Sequence, residues 1–151
     1  MSTYHDRLNF PKRPRTDARL LCITRAKHGA GWHGTMRLNA CTLFYIISGA
    51  GAFRLDGERF PILQDDFILV NPHEEHLEIS SGTETLEYIA LGIDGLDFVA
   101  GGGQQPCYIR IHCRDKREEM LFYLKALLSE METKPASYDI VCQDLLEVLL
   151  V

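Results

Sequence analysis

The chain has 151 residues, a length that suits one domain with a real hydrophobic core. Hydrophobic residues make up 46% of the sequence and charged residues 25%, which is typical of a globular protein and excludes a largely disordered chain. The net charge of -5 excludes a domain that wraps a nucleic-acid backbone by itself, because phosphate binding needs a concentrated positive field.

The amino-terminal segment, residues 1–17, is predicted to be an arm. Pro11 and Pro14 block a helix there, and basic residues outnumber acidic ones. It is either a solvated tail or an arm that folds over a pocket or a neighbouring domain. The segment lacks the apolar core of a signal peptide, and the sequence nowhere approaches about 18 uninterrupted apolar residues. We therefore expect a cytoplasmic protein with no membrane partner. The five scattered cysteines form no C-x-x-C pair and are expected to be reduced.

Residues 18–112 are predicted to form an antiparallel β domain, either a sandwich or a barrel. Runs rich in β-branched and aromatic residues, such as ARLLCIT, CTLFYII, DFILV and ETLEYIALGI, are separated by turn sequences. In AFRLDGERFPIL, apolar residues alternate on both sides of Asp56-Gly57, which predicts a hairpin with a type I′ turn. Pro61 cannot donate to the strand ladder and therefore predicts an edge strand or a bulge.

Residues 113–151 are predicted to form two helices, which follow a flexible Gly-rich joint, GGGQQP. In the first helix Asp115 and Glu118 have the form of a capping box. Its apolar residues recur at helical spacing: Met120, Leu124, Leu127, Leu128 and Met131. The second helix is expected to have Ser137 as its N-cap. Its apolar face is predicted to comprise Tyr138, Val141, Leu145, Val148 and Leu149, opposite Asp139, Gln143 and Glu147.

The last residues, LLEVLLV, are strongly apolar and have neither a C-cap glycine nor a basic last turn. This pattern predicts that the chain is a fragment of a longer protein. The broad apolar face also suits a helix pair that packs on the sheet and on a second copy of itself.

The run CTLFYIISGAGAFRLDGERFPILQDDFILVNPHEEH resembles the amino-terminal sensor domain of AraC-type transcriptional regulators. The resemblance rests on a hydrophobic strand, the Gly49-x-Gly51 turn, a short hairpin, an acidic turn, and then Pro72 and His76, and it covers nearly the whole chain. It implies a cupin-like β-barrel, or jelly roll, that binds a small effector. It also implies dimerisation through the two carboxy-terminal helices, for which we expect Leu124, Leu128, Leu145 and Leu149 as contacts. A DNA-binding domain with two helix-turn-helix motifs is expected beyond residue 151.

The sequence NPHEEH raises the question of a metal site. Two ligands on one strand must be separated by an even number of positions to share a face, and His73 and His76 are three apart. No glutamate lies between residues 29 and 57, where metal-binding cupins place one. We therefore expect no metal and no cofactor. His76 is interpreted as an inward hydrogen-bond partner for the effector or as a structural histidine, and His73, Glu74 and Glu75 as a solvated turn.

Further effector contacts are implied by the resemblance. Arg37 aligns approximately with an arginine that holds the effector in sugar-sensing relatives. Glu78, two residues after His76, is either a candidate acceptor for hydroxyl groups or a solvent-facing glutamate. Tyr88 is a candidate either for stacking on the ligand or for core packing. Trp32, with His33, is a candidate either for closing the barrel mouth or for packing over an exposed edge. By family habit the expected effector is a sugar or sugar acid.

Two other interpretations compete with a regulator. One is a stand-alone cupin metalloenzyme, such as an isomerase or dioxygenase, and the other is a carbohydrate-binding module without a regulatory partner. No nucleophile motif and no oriented histidine support catalysis.

Overall fold

The computed structural model describes residues 18–38, 40–55, 57–71, 76–94, 108–134 and 138–149. The arm, the turn at residues 72–75, the Gly-rich joint and Ser137 lie outside these residues. The described strands, in chain order, are β1 (Arg19–His28), β2 (His33–Arg37), β3 (Cys41–Ser48), β4 (Ala50–Leu55), β5 (Glu58–Leu63), β6 (Asp66–Val70), β7 (His76–Ser81), β8 (Leu86–Asp94) and β9 (Tyr108–His112). Two helices follow, α1 (Arg117–Thr133) and α2 (Tyr138–Leu149).

The strands form two antiparallel sheets with jelly-roll topology. A five-stranded sheet has the order β1-β8-β3-β6-β9, and a four-stranded sheet has the order β2-β7-β4-β5. The chain thus passes from one sheet to the other in the pattern of two Greek keys. The predicted fold class, a jelly-roll β domain followed by two helices, is confirmed.

The hairpin of β4 and β5 forms at the predicted position. Phe53 pairs with Phe60, and both side chains are buried between the sheets. Gly57 has a φ of 74°, the left-handed conformation that a type I′ turn requires, whereas Asp56 lies outside the described residues. Pro61 lies in β5, which is an edge strand as predicted.

Two hydrophobic cores lie on opposite faces of the five-stranded sheet. The interior core fills the space between the two sheets and contains Leu38, Phe44, Ile46, Phe53, Leu55, Phe60, Ile62, Ile68, Val70, Leu77, Ile79, Leu86, Tyr88 and Ala90. The helix-side core contains Ala18, Leu43, Tyr45, Ile47, Ile89, Leu91, Ile93, Leu124, Leu127 and Cys142. Because strand residues alternate between faces, β3 and β8 contribute to both cores, which explains their continuous apolar runs.

The helices pack on the sheet mainly as the periodicity predicts, with two corrections. Leu124 and Leu127 are fully buried, but the expected capping box at Asp115 does not form. A short 3-10 turn, Arg114–Lys116, precedes α1, and no side chain caps either element. In α2, Val141 is 38% exposed, whereas Cys142 is buried at 4%, so the face of α2 that meets the sheet is rotated from the predicted one.

A buried polar cluster joins the start of α1 to the sheet. Asp65, at the turn between β5 and β6, has a φ of 70° and is only 4% exposed. Its Oδ1 accepts a hydrogen bond from the Tyr45 hydroxyl at 3.0 Å and forms an ion pair with the Arg117 guanidinium. Arg117 also donates to the carbonyl of Ile47 at 3.1 Å. Burial and the neighbouring Asp65 raise the pKa of Tyr45, so its hydroxyl stays a donor at neutral pH.

Candidate functional site

The loop between β1 and β2 is held against the end of β7 by Ser81. The Ser81 hydroxyl accepts from the backbone N–H of Trp32 at 2.7 Å and donates to the carbonyl of Gly29 at 2.6 Å. The Ser81 N–H donates to the Trp32 carbonyl at 2.8 Å. These bonds place Trp32 at one end of the interior core, which is the mouth of the jelly roll.

An aromatic cluster closes this mouth. The rings of Trp32 and His28 are stacked, with centroids 3.5 Å apart and an interplanar angle of 5°. His28 Nε2 lies 3.0 Å from the Tyr88 hydroxyl, within hydrogen-bond distance. The Tyr88 ring in turn meets Phe44 edge to face, at a centroid distance of 5.6 Å. We call Trp32, His28 and Tyr88 the mouth cluster.

A glycine makes room for the indole of Trp32. A Cβ built on Gly34 would collide with the six-membered ring of the indole. Trp32 lies two positions before Gly34 and directly precedes β2. In extended backbone the two residues therefore face the same side, toward the interior core. The Trp32 position therefore depends on the absence of a side chain at residue 34.

The polar atoms of the mouth cluster are uncharged at neutral pH. Burial lowers the pKa of His28 below its ordinary value, which favours the neutral imidazole. Burial also raises the pKa of Tyr88, so its hydroxyl keeps its proton. His28 and Tyr88 together offer a ligand one uncharged donor–acceptor pair, beside the aromatic rings of Trp32 and Tyr88.

The sequence-predicted site residues are divided between the two faces of the four-stranded sheet. Trp32 and Tyr88 come together in the mouth cluster. His33, Arg37 and Glu78 are exposed on the outer face. The reason is the alternation of β7, in which Leu77 and Ile79 are buried in the interior core and Glu78, between them, points outward. The side chains of Arg37 and Glu78 therefore point away from the interior of the jelly roll, where the ligand contacts were expected.

For His76, the structure describes the backbone position alone. It begins β7 and pairs with Arg37 of β2. Its side chain lies outside the described part of the structure.

His28 is the site residue that sequence reasoning missed. Its partner Tyr88 is 60 residues away, and the contact arises from the pairing of β1 with β8, which sets Ala26 opposite Tyr88. The local signal was a second histidine at the other end of the Gly-rich GAG sequence, four positions before Trp32.

Within the described residues, no group of three or more histidine, cysteine, aspartate or glutamate side chains is placed to hold a metal ion. The four described cysteines, Cys22, Cys41, Cys113 and Cys142, are free thiols.

The sequence matches one protein family over almost its entire length. The AraC-like ligand binding domain matches residues 17–150. The chain belongs to this family. Comparison of this AraC-like domain with curated proteins gives no match.

Solved structures of ToxT from Vibrio cholerae share the fold. An apo ToxT variant superposes with a TM-score of 0.61 at 10% identity, covering 89% of this AraC-like domain and 54% of the ToxT chain. ToxT with a bound unsaturated fatty acid gives a TM-score of 0.55 at 11% identity, covering 91% and 53%. A third structure, ToxT bound to (E)-4-(8-methylnaphthalen-1-yl)but-3-enoic acid, gives 0.55 at 12% identity, covering 85% and 53%. The chain spans about half the length of these ToxT chains.

In the described part of this AraC-like domain, neither helix has the length and apolar character to cross a lipid bilayer.

Proposed function

We propose that the chain is the effector-sensing domain of an AraC-type transcription regulator and that the effector binds at the mouth cluster. The observation that carries the proposal is the match to the AraC-like ligand binding domain over residues 17–150. The mouth cluster supports the location, because it combines aromatic faces with a small number of polar atoms at the entrance to an apolar interior. The proposed role is binding rather than catalysis.

The chemistry of the mouth favours an effector with an apolar body and one polar end. A sugar needs several convergent hydrogen-bond partners, whereas the mouth cluster offers one polar pair, the Tyr88 hydroxyl and the His28 imidazole. An aliphatic or aromatic acid would place its apolar part among core side chains and its carboxyl group beside His28 and Tyr88. The compounds that ToxT binds in two of its structures, a fatty acid and a naphthalenyl butenoic acid, are of this class. A sugar or sugar acid that stacks on Trp32 is the competing class.

Ligand entry requires the indole of Trp32 to leave its stacked position on His28. The loop that carries Trp32 is tied to Ser81, so its displacement would alter the end of β7. Tyr88 lies in β8, whose neighbouring residue Ile89 belongs to the helix-side core. We propose that this route carries the ligand signal to α1 and α2. In the complete regulator it would then control DNA binding by a helix-turn-helix domain.

Dimerisation through the helices is the second part of the proposal. Leu124, expected at the dimer contact, is fully buried in the helix-side core and has no exposed surface for a partner. Leu128 and Leu145 are partly buried against the same core, and the side chain of Leu149 lies outside the described residues. Among the helix side chains that the structure describes, the large exposed apolar ones are Phe122 at 68%, Ile140 at 59% and Val141 at 38%. These three residues support a helix-mediated homodimer better than the leucines do.

Fluorescence of Trp32, the only tryptophan, offers a direct test of the effector site. The protein would be titrated with oleate, with a neutral hexose and with a hexuronic acid. We expect a saturable change in emission with oleate, weakened at least about tenfold in Tyr88→Phe or His28→Gln because a buried partner is lost. Lys27→Gln, one position from His28 but exposed, is the matched control.

Other results of this titration would redirect the proposal. A response to the sugars alone would replace the effector class, and weakening by Arg37→Ala would move the site to the outer face. An oleate response that is equal in the wild type, Tyr88→Phe and His28→Gln would contradict the mouth cluster as the site.

A further inference from the structure

The outer face of the four-stranded sheet carries a groove of about 370 Å³. It lies between the Trp32 loop and the β4–β5 hairpin, and its polar lining includes His33, Arg54, Arg59, Glu78 and Ser80. The volume is within the range of small-molecule sites, roughly 300 to 1,000 Å³. The groove borders the mouth cluster, because Trp32 also lines it, but its polar side chains lie on the outer face of the sheet, opposite the interior core.

The groove brings two like charges together. Arg54 of β4 and Arg59 of β5 are directly opposite each other in the strand register, and both side chains are exposed. Like charges at directly opposite positions of an antiparallel pair repel and destabilise the pairing. Solubility of this face alone does not explain why two arginines occupy directly opposite positions.

The neighbouring carboxylate balances these charges only weakly. Glu78 of β7 is opposite Arg54, but the closest approach of the two charged groups, Arg54 Nη1 to Glu78 Oε2, is 3.9 Å. Their side chains are 60% and 52% exposed, so water screens the pair. In the described part of the chain, the side chain of Arg59 makes no hydrogen bond or ion pair. The groove therefore has a local excess of positive charge in a protein with a net charge of -5.

The remaining polar lining consists of groups that can donate hydrogen bonds. Ser80 is opposite His33 in the β2–β7 register. Among the described residues, the one hydrogen-bond contact of its hydroxyl is a long one of 3.5 Å to the carbonyl of Ala52. Two guanidinium groups, a hydroxyl and an imidazole thus surround one cavity. Guanidinium groups bind carboxylate and phosphate oxygens through paired N–H donors.

We propose that this groove binds a small organic oxyanion, with its carboxylate or phosphate group between Arg54 and Arg59. The bound anion removes the repulsion between the two guanidinium groups, and Ser80 and His33 supply further donors. The site borders Trp32, but the polar groups proposed to hold the anion differ from His28 and Tyr88 of the effector site.

Thermal unfolding in the presence of simple anions tests the proposal. Inorganic phosphate and succinate would each be compared with chloride at equal ionic strength. At a concentration about ten times the dissociation constant, a bound anion raises the melting temperature of a domain of this size by about 3 to 6 °C. The rise should disappear in the Arg54→Gln, Arg59→Gln double variant and persist in Arg19→Gln, an exposed arginine of β1 in the other sheet.

Each outcome has a defined meaning. A rise with phosphate alone assigns a phosphorylated ligand, and a rise with succinate a carboxylate. Equal rises in the wild type and the double variant, or no rise with either anion, would overturn the proposal. The rise should also survive His28→Gln, which distinguishes this groove from the effector site, so that either proposal can fail without the other.

Discussion

Replacing Arg117 by glutamine removes the guanidinium that pairs with Asp65 and bonds the Ile47 carbonyl. The side chain of Asp65 is 5% exposed and that of Arg117 34%. Breaking a fully buried ion pair costs about 3 to 5 kcal/mol, because the remaining charge stays desolvated. Since water reaches Arg117, we expect a smaller loss of about 2 kcal/mol in the free energy of unfolding. For a domain of this size that corresponds to a melting temperature about 4 to 8 °C lower.

A double-mutant cycle separates this ion pair from the other contacts of Arg117. Asp65→Asn removes the charge but keeps a residue that tolerates the left-handed backbone at this position. Urea denaturation of the two single variants and of the double variant should give a coupling energy of about 1 to 2 kcal/mol. Effects that add to within about 0.5 kcal/mol would refute the reasoning, because the Asp65–Arg117 pair would then contribute nothing beyond its separate parts.

Three further predictions concern the mouth and the helices. The folded state lowers the pKa of His28, because burial disfavours the charged imidazole. The stability that neutral His28 contributes is therefore complete above the unfolded pKa of about 6.5, and it is lost as the pH falls through the folded-state pKa. Wild type should therefore lose more stability than His28→Gln between about pH 6.5 and 5 in urea denaturation, and parallel pH profiles would contradict this. Gly34→Ala should displace the indole of Trp32 and shift its emission to longer wavelength, whereas Gly29→Ala, where a Cβ meets no atom within 4 Å, should not. Phe122→Ser should weaken the dimer at least about tenfold in sedimentation equilibrium. Leu63→Ser, a similarly exposed apolar residue on β5, should leave the dimer unchanged, and equal effects of the two would remove the helices as the interface.

The β architecture was predictable because its signals are local. The alternation around Asp56-Gly57 defined the β4–β5 hairpin, and Pro61 indicated an edge strand. The helical spacing of Leu124 and Leu127 also identified the buried face of α1.

The errors arose where tertiary contacts overrode local patterns. Asp115 and Glu118 matched a capping box, but the 3-10 turn before Arg117 and the buried pair with Asp65 fix where α1 begins. In α2, Cys142 rather than Val141 faces the sheet, although valine is the more apolar side chain.

The placement of the candidate site residues was predictable only where it follows from strand alternation. The alternation of Leu77, Glu78 and Ile79 was visible in the sequence and already indicated that Glu78 points away from the core. The contact of His28 with Tyr88 was not visible, because it depends on the register between β1 and β8. Trp32 packs against the interior core and stacks on His28, only four positions earlier in the chain.

The burial of β3 on both faces constrains how this sequence can change. Phe44 and Ile46 belong to the interior core, whereas Leu43 and Tyr45 belong to the helix-side core. Deleting one residue within β3 would move each side chain beyond the deletion to the opposite face. Tyr45 would then lose Asp65, and its hydroxyl would enter an apolar space. Substitutions in β3 that preserve volume should be tolerated, but changes in its length should not. Insertions and deletions among homologues should accordingly avoid β3 and accumulate in the connections between strands.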